Sequence, residues 1–125
     1  MGAAYPVIMR IVAQATLNRF VRNRVEPRRQ HIVKSQLDTW SIVVSRATWR
    51  NSAELKRQFH SASIVSSERV VFNIKGNEFR LVVAVDYKHS IVLILWVGTH
   101  REYDQIDVKQ VKFDKERYAD STGSN

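Results

Sequence analysis

Apolar positions recur at helical spacing in the first half of the chain and at strand spacing in the second. The clearest stripe runs at steps of four, three, four and three: Val33, Leu37, Trp40, Val44 and Ala47. This spacing predicts a helix with one buried face. A preceding helix is predicted from the spacing of Leu17, Phe20 and Val21. Residues 8–13, short and rich in β-branched side chains, predict a first strand.

Capping signals mark where two of the helices begin. Pro27 suits the first turn of the helix that carries the stripe. Asn51 can cap a third, short helix, because Glu54 follows it at the spacing of a capping box. Leu55 and Phe59 would then form the buried side of that helix.

The second half predicts three strands, over residues 70–75, 78–87 and 91–97. Gly76-Asn77 is typical of a two-residue hairpin loop, with glycine supplying a positive φ at its first position. A second turn is predicted near Lys88-His89. The order predicts an α+β fold, in which an N-terminal strand and two to three helices pack on a small antiparallel sheet.

The first hairpin loop sets the register of the sheet. It pairs Asn73 with Arg80, and it leaves Val70, Phe72 and Ile74 on a wholly apolar face that should pack against the helices. Trp96 is assigned to that apolar face, and Trp40 and Trp49 are expected in or near the core.

A second hairpin closed at Lys88-His89 places Arg80 opposite Val97 and Glu78 opposite Thr99. His100 follows Thr99, and Tyr103 lies one helical turn further on. This register therefore gathers four side chains with useful chemistry at one end of the sheet: Lys75, Arg80, His100 and Tyr103.

Composition limits the class of protein. The 125 residues favour one domain, which we expect over residues 9–108, between an N-terminal extension (1–8) and a C-terminal one (109–125) with a disordered polar end. Residues 1–8 are either native or precede an internal start at Met9. Cysteine is absent, and no apolar run approaches the roughly 18 residues of a membrane span. Without a signal-peptide pattern, the chain is expected to be cytoplasmic, with no membrane partner.

Positive charge is concentrated in the first half. Residues 1–60 hold 11 Lys or Arg and 3 Asp or Glu, whereas residues 61–125 hold nine of each sign. A basic half is typical of a polyanion-binding domain, although a solvated surface has the same composition. The densest cluster contains Arg19, Arg22, Arg24, Arg28, Arg29 and Lys34. It either grips phosphates of a bound polyanion or forms a solvated connection between helices.

The four residues at the sheet end suit RNA cleavage without a metal. His100 can act as acid or base, and Tyr103 can share that role or stack on a base. Arg80 offers a planar fork for phosphate oxygens, and Lys75 a point charge or a base. Taken singly, each residue more often has a structural role. His100 can cap a helix, Arg80 can pair with Asn73 across the sheet, and Lys75 can form an ion pair with Glu78.

Other chemistries lack support in the sequence. The chain has no phosphate-binding glycine loop, no dinucleotide-binding glycine pattern and no zinc-protease motif. The four histidines lack metal-ligand spacing, and no serine lies in a nucleophile elbow.

Two long motifs resemble the signature of HigB-type toxins of the RelE/ParE superfamily: residues 70–83 (VVFNIKGNEFRLVV) and residues 98–107 (GTHREYDQID). Residues 9–13 (MRIVA) resemble the start of those proteins, so the likeness covers roughly residues 9–108. The resemblance implies a RelE-like fold and a type II toxin that cuts translated mRNA on the ribosome, without a metal or other cofactor. It also implies a HigA-type helix-turn-helix antitoxin, through which alone the toxin would reach operator DNA.

On the motif positions, the resemblance favours Arg80, His100 and Tyr103 as catalytic residues, with Lys75 in support and Asn73 and Asn77 as RNA contacts. Two alternatives stay open. A ParE-like inhibitor of DNA gyrase would need no acid–base cluster, and a plain RNA-binding module would bind RNA without cutting it.

Overall fold

The computed structural model describes residues 7–120. In this range the chain forms five strands and four α-helices: β1 (Arg10–Val12), α1 (Ala15–Arg24), α2 (Gln30–Ser45), α3 (Ser52–Gln58), β2 (Ser63–Ile64), β3 (Arg69–Ile74), β4 (Phe79–Asp86), β5 (Ile91–Thr99) and α4 (His100–Tyr103). Short 3₁₀ turns lie at Pro27–Arg29 and Lys115–Tyr118. The predicted α+β class is confirmed, and no helix in this range is long and apolar enough to cross a bilayer.

One five-stranded sheet, in the order β1-β5-β4-β3-β2, organises the domain. β1 runs parallel to β5, and every other pairing is antiparallel. The sequence did not predict β2, because two residues are too few to show alternation. The predicted helical stripe is confirmed for Val33, Leu37, Trp40 and Val44, which are buried in α2, whereas Ala47 is buried but lies beyond the end of the helix at Ser45. Trp40 packs edge-to-face on Phe72 of β3, with ring centroids 5.3 Å apart.

The predicted third helix is also confirmed. The Asn51 side chain accepts a hydrogen bond from the Glu54 N–H at 3.0 Å, and Leu55 is fully buried. The Glu54 carboxylate does not return to Asn51. It accepts instead from the Arg50 N–H at 2.7 Å, so the capping box is only half formed.

The first hairpin has the predicted register, with Asn73 opposite Arg80 and Ile74 opposite Phe79. Gly76 has the expected positive φ of 63°. Lys75 also has a positive φ, of 53°, so the left-handed backbone begins one residue earlier than predicted. Val70, Phe72 and Ile74 all lie in the core beneath the helices.

The predicted register of the second hairpin is wrong beyond a β-bulge. Val83 pairs with Ile94 as expected, but Val82 pairs with Trp96, which leaves Leu95 as an extra residue in β5. Arg80 therefore lies opposite Gly98 instead of Val97, and Phe79, instead of Glu78, lies opposite Thr99. The extra residue moves the side chains that follow it to the opposite face of the sheet.

Because of the bulge, the predicted face of Trp96 is also wrong. Trp96 is buried, but on the sheet face away from the helices, where it packs with Val71, Val82 and Leu95. Trp40 and Trp49 are buried in the main core, as predicted. The second face is covered by α4 and the chain that follows it.

The chain after α4 returns to the open edge of β5. Tyr118 is buried in the main core, and its hydroxyl accepts from the Val97 N–H at 2.8 Å and donates to the Val97 carbonyl at 3.2 Å. It therefore satisfies backbone groups that no strand pairs there. Asp120, at the start of the polar tail, pairs with Arg22 of α1 at 2.9 Å. The rest of that tail and residues 1–6 of the expected N-terminal extension lie outside the described residues.

Candidate active site

α4 begins directly above the first hairpin turn. Thr99 Oγ1 accepts from the Glu102 N–H at 3.1 Å, and a Glu102 carboxylate oxygen accepts from the Thr99 N–H at 2.9 Å. This complete capping box fixes a helix of only four residues. The His100 N–H donates to the Glu78 carbonyl at 2.8 Å, which ties α4 to the turn. His100 and Tyr103 are thereby held at the end of the sheet that carries Lys75 and Arg80.

Arg80 is the buried cation of this site, with 9% of its surface exposed. Its Nη1 donates to the carbonyls of Asn77 at 3.2 Å and Phe79 at 3.3 Å, and its Nη2 donates to Asn77 Oδ1 at 3.2 Å. These bonds engage three of the five guanidinium N–H groups. Gly98, opposite Arg80 in the sheet, adds no side chain beside it. Two donors are left for a ligand.

Tyr103 packs between Arg80 and Trp96. The Arg80 Cζ lies 6.0 Å from the centre of the Tyr103 ring, and the Trp96 ring centre lies 6.2 Å from it. Burial raises the pKa of Tyr103 above its ordinary value, Arg80 opposes this effect, and Asp104 adds to it. The phenol is therefore protonated at neutral pH, and it can donate a proton or a hydrogen bond.

His100 is the exposed member of the group, with 49% of its side chain accessible. Its Nε2 lies 3.6 Å from an Asp104 carboxylate oxygen one turn further along the chain. An exposed imidazole at the same end of the sheet as a buried guanidinium suits contact with a bound polyanion.

Lys75 and Glu78 close the hairpin turn with an ion pair of 2.7 Å. Glu78 also pairs with Arg29, which lies in the 3₁₀ turn before α2. Hydrogen bonds from Lys75 and Arg29 lower the pKa of Glu78 below its ordinary value. This carboxylate offsets part of the charge that Lys75 could offer to a phosphate. This ion pair with Glu78 is the structural role that the sequence left open for Lys75.

The two asparagines differ in position. Asn77 supports Arg80 through its backbone and its side chain. Asn73 lies opposite Arg80 in the sheet, and its side-chain amide donates to the Ser61 carbonyl at 3.4 Å. Asn77 therefore belongs to the framework of the guanidinium, whereas Asn73 faces the loop before β2.

Glu102 is a site residue that the sequence interpretation missed. Burial alone would raise the pKa of Glu102, but the hydrogen bond from Thr99 and the contacts with Arg24 and Arg117 outweigh it and lower the pKa to about 2. Arg24 approaches to 2.8 Å and Arg117 to 3.2 Å. The Thr-x-x-Glu spacing of a capping box was the signal that could have identified it.

Arg117 is the second residue missed. Its guanidinium stacks on the Trp96 ring at 4.8 Å and donates to the Val97 carbonyl at 3.0 Å. It thus joins the last described segment to both α4 and β5. No motif marks Arg117 in the sequence, because the residues that it joins in α4 and β5 are 15 or more residues away.

Most of the predicted basic cluster is occupied by acidic partners. Within residues 7–120, five of its six side chains form ion pairs: Arg22 with Asp120, Arg24 with Glu102, Arg28 with Glu26, Arg29 with Glu78 and Lys34 with Asp38. Arg19 is exposed on α1. Exposed pairs are weak and can exchange for phosphates, but the net positive potential of the cluster is reduced.

The fold and the site together define a small α+β protein with a buried arginine at one end of its sheet. A family model described as HigB_toxin, the RelE-like toxic component of a toxin-antitoxin system, matches residues 33–106. The chain therefore belongs to the HigB toxin family. The matched range includes Lys75, Arg80, His100 and Tyr103, and it ends before Arg117. No curated protein matches the chain.

Proposed function

We propose that this toxin is a ribosome-dependent endoribonuclease that cuts translated mRNA without a metal. The observation that carries the proposal is the buried Arg80 guanidinium, which keeps two free donors beneath Tyr103 and the start of α4. A preorganised cation in a partly dry site stabilises the charge that develops on a phosphorane. This arrangement suits phosphodiester cleavage better than protein contact alone.

The proposed reaction is attack of a ribose 2′-hydroxyl on the adjacent phosphorus. The new O2′–P bond forms as the P–O5′ bond breaks, which leaves a 2′,3′-cyclic phosphate and a 5′-hydroxyl. His100 accepts the 2′-hydroxyl proton, because it is exposed and its ring has a neutral form near neutral pH. Tyr103, which its raised pKa keeps protonated, supplies the proton to the departing 5′-oxygen. Arg80 stabilises the phosphorane, and Lys75 adds charge once it is released from Glu78.

Recognition is proposed to follow from the same end of the sheet. Asn73 and Asn77 border the guanidinium and can contact the ribose or the bases. The basic cluster at residues 19–34 would meet ribosomal RNA by exchanging its carboxylate partners for phosphates. This contact would place the mRNA strand beside α4.

The family supplies the other partner, since its members are the toxic component of a toxin-antitoxin pair. We propose a HigA-type antitoxin with a helix-turn-helix domain, and operator DNA bound only through the toxin–antitoxin complex. We also propose that the toxin acts in the cytoplasm, where ribosomes translate mRNA.

A purified translation system tests the proposal. A reporter mRNA is incubated with the toxin, with and without ribosomes, and the cut sites are mapped by primer extension. We expect cuts only where ribosomes are present, at positions in register with codons. Cuts on free RNA would overturn ribosome dependence. No cuts during active translation, together with inhibition of gyrase supercoiling, would replace the proposal with the gyrase-inhibitor alternative.

A further inference from the structure

A second charged feature lies at the opposite end of the sheet from the candidate active site. It is a cavity of about 890 Å³ between the end of α2, α3 and the turn that joins β4 to β5. This volume lies within the range of sites that hold small molecules or single nucleotide units. Its polar lining includes Arg46, Thr48, Arg50, Arg57, Tyr87 and Ser90. We call it the arginine cavity.

The arginine cavity has excess positive charge. Arg50 is held by Glu54, the one carboxylate in the lining, through bonds of 3.0 and 2.8 Å. Arg46 and Arg57 form no ion pair within residues 7–120. Within the described range, two guanidinium groups are therefore available to an anion.

This distribution differs from that of the predicted basic cluster. Five side chains of that cluster have carboxylate partners, whereas Arg46 and Arg57 have none in the same described range. A polyanion gains more from unpaired cations, because no ion pair must be broken first. The arginine cavity therefore offers a polyanion more unpaired positive charge than the predicted basic cluster does.

The lining favours a sugar–phosphate backbone over a protein partner. Trp49 and Ala47 are buried, and Val7 is the only exposed large apolar side chain of the lining within the described residues. Protein interfaces are anchored chiefly by large aromatic side chains and arginines packed in apolar surroundings, whereas the arginines here have little exposed apolar side chain around them. Contacts with phosphates need only cations and hydrogen-bond donors, and they carry no sequence information.

We propose that the arginine cavity binds the phosphate groups of an RNA backbone, as an anchor separate from the candidate active site. Phosphate as the ligand follows from the cavity alone, whereas RNA in preference to DNA rests on the proposed function. Arg46 and Arg57 fork onto phosphate oxygens, and Thr48 donates a hydroxyl hydrogen bond. Binding is independent of sequence, because contacts with phosphates do not read the bases.

The test is binding of a fluorescein-labelled RNA duplex to the full-length protein, measured by anisotropy over a series of salt concentrations. The probe carries no ribosome, so the assay reports binding and not cutting. The variant is the double substitution Arg46→Gln/Arg57→Gln. Both residues are exposed, so an unchanged thermal midpoint is expected. The matched control is Lys109→Gln/Lys112→Gln, which removes the same charge from exposed positions outside the cavity.

We expect the slope of log affinity against log salt to fall by roughly 1 for each phosphate that the arginine variant no longer neutralises. The control should keep the wild-type slope. An unchanged slope in the arginine variant, or an equal decrease in the control, would overturn the proposal. A DNA duplex of the same sequence is the second probe, and tighter binding of DNA than RNA would overturn the choice of RNA. Absence of cutting by the wild-type protein on ribosomes would count against the proposed function. It would not change the comparison of the salt slopes.

Discussion

At the scale of single residues, the proposed mechanism depends on the contrast between a buried Arg80 and an exposed His100. The guanidinium is fixed by carbonyl and amide oxygens of its own hairpin, so it is preorganised. The imidazole projects from the first residue of α4 into solvent. The two residues therefore differ in what a substitution does to the fold.

Replacing Arg80 by lysine tests the need for the fork. Lysine keeps the charge but not the planar set of donors. We expect cleavage on ribosomes to fall by about 10²- to 10³-fold, as for the removal of other transition-state donors. Arg101→Lys is the matched control, because Arg101 is exposed and has no assigned role. Equal activity of the two variants would remove Arg80 from the mechanism.

Replacing His100 by alanine tests the base. The side chain is exposed, so the thermal midpoint should stay unchanged while cleavage falls by about 10²- to 10⁴-fold. Growth arrest on induction should disappear with it. Full toxicity of a folded His100→Ala protein would assign the base to another group.

Gly98 tests the packing of the second sheet face. A Cβ built on Gly98 would lie 2.5 Å from Arg117 Nη2 and 2.5 Å from the Trp96 ring. Arg117 can move, but the buried ring cannot, so Gly98→Ala should lower the free energy of unfolding by about 1–3 kcal/mol in urea titration. Adding Trp96→Phe should restore part of that stability, since it removes the clashing ring atoms. A Gly98→Ala protein as stable as wild type would contradict the packing.

At the scale of elements, α4 is held in place by the Glu102 carboxylate. Four residues are too few for a stable isolated helix, so its position depends on Thr99, Arg24 and Arg117. Arg117 and Tyr118 belong to the segment that lies beyond the family match. We therefore expect removal of residues from Arg117 onward to loosen α4 as well as the edge of β5.

The Glu102 contacts predict a pH dependence of stability. Its pKa is lowered from an ordinary 4.5 to about 2 in the folded protein. A lowered folded-state pKa contributes stability that is fully present above about pH 4.5 and is lost as the pH falls towards about 2. Glu102→Gln should be less stable at neutral pH and show a smaller loss over this window in urea titrations.

Glu116→Gln is the control for this series, because Glu116 is exposed and forms no ion pair within residues 7–120. Other paired carboxylates, such as Glu78, contribute to the same window, so the comparison is of slopes. Identical slopes for wild type and Glu102→Gln would show that Glu102 does not stabilise the fold.

Elements with many residues of one pattern were predictable, and short or irregular ones were not. The stripe of α2 and the alternation of β3 and β4 were sufficient for the helix and for the first register. The bulge at Leu95 lies in a run that is apolar on both sides, so no alternation marks the extra residue. The predicted grouping of the four site residues at one end nevertheless agrees with the geometry, because Thr99 still ends β5 at the first turn.

At the scale of the whole molecule, charge is arranged at two opposite ends of the sheet. The candidate active site combines Arg80 and Lys75 with an acidic partner, Glu78. The arginine cavity at the other end has unpaired Arg46 and Arg57 in the described range. Composition could predict a basic half, but only the fold separates paired from unpaired cations. Which end of the sheet can bind an anion therefore depends on where the fold places the acidic partners of each cation.

The central claim is that the end of the sheet around Arg80 cuts mRNA on the ribosome by 2′-hydroxyl attack. The most direct measurement is the 3′ end group of the upstream fragment, formed in single-turnover reactions on programmed ribosomes by wild type and His100→Ala. We expect a 2′,3′-cyclic phosphate, formed at least about 10²-fold more slowly by His100→Ala. A 3′-hydroxyl end, or an equal rate for both proteins, would contradict it.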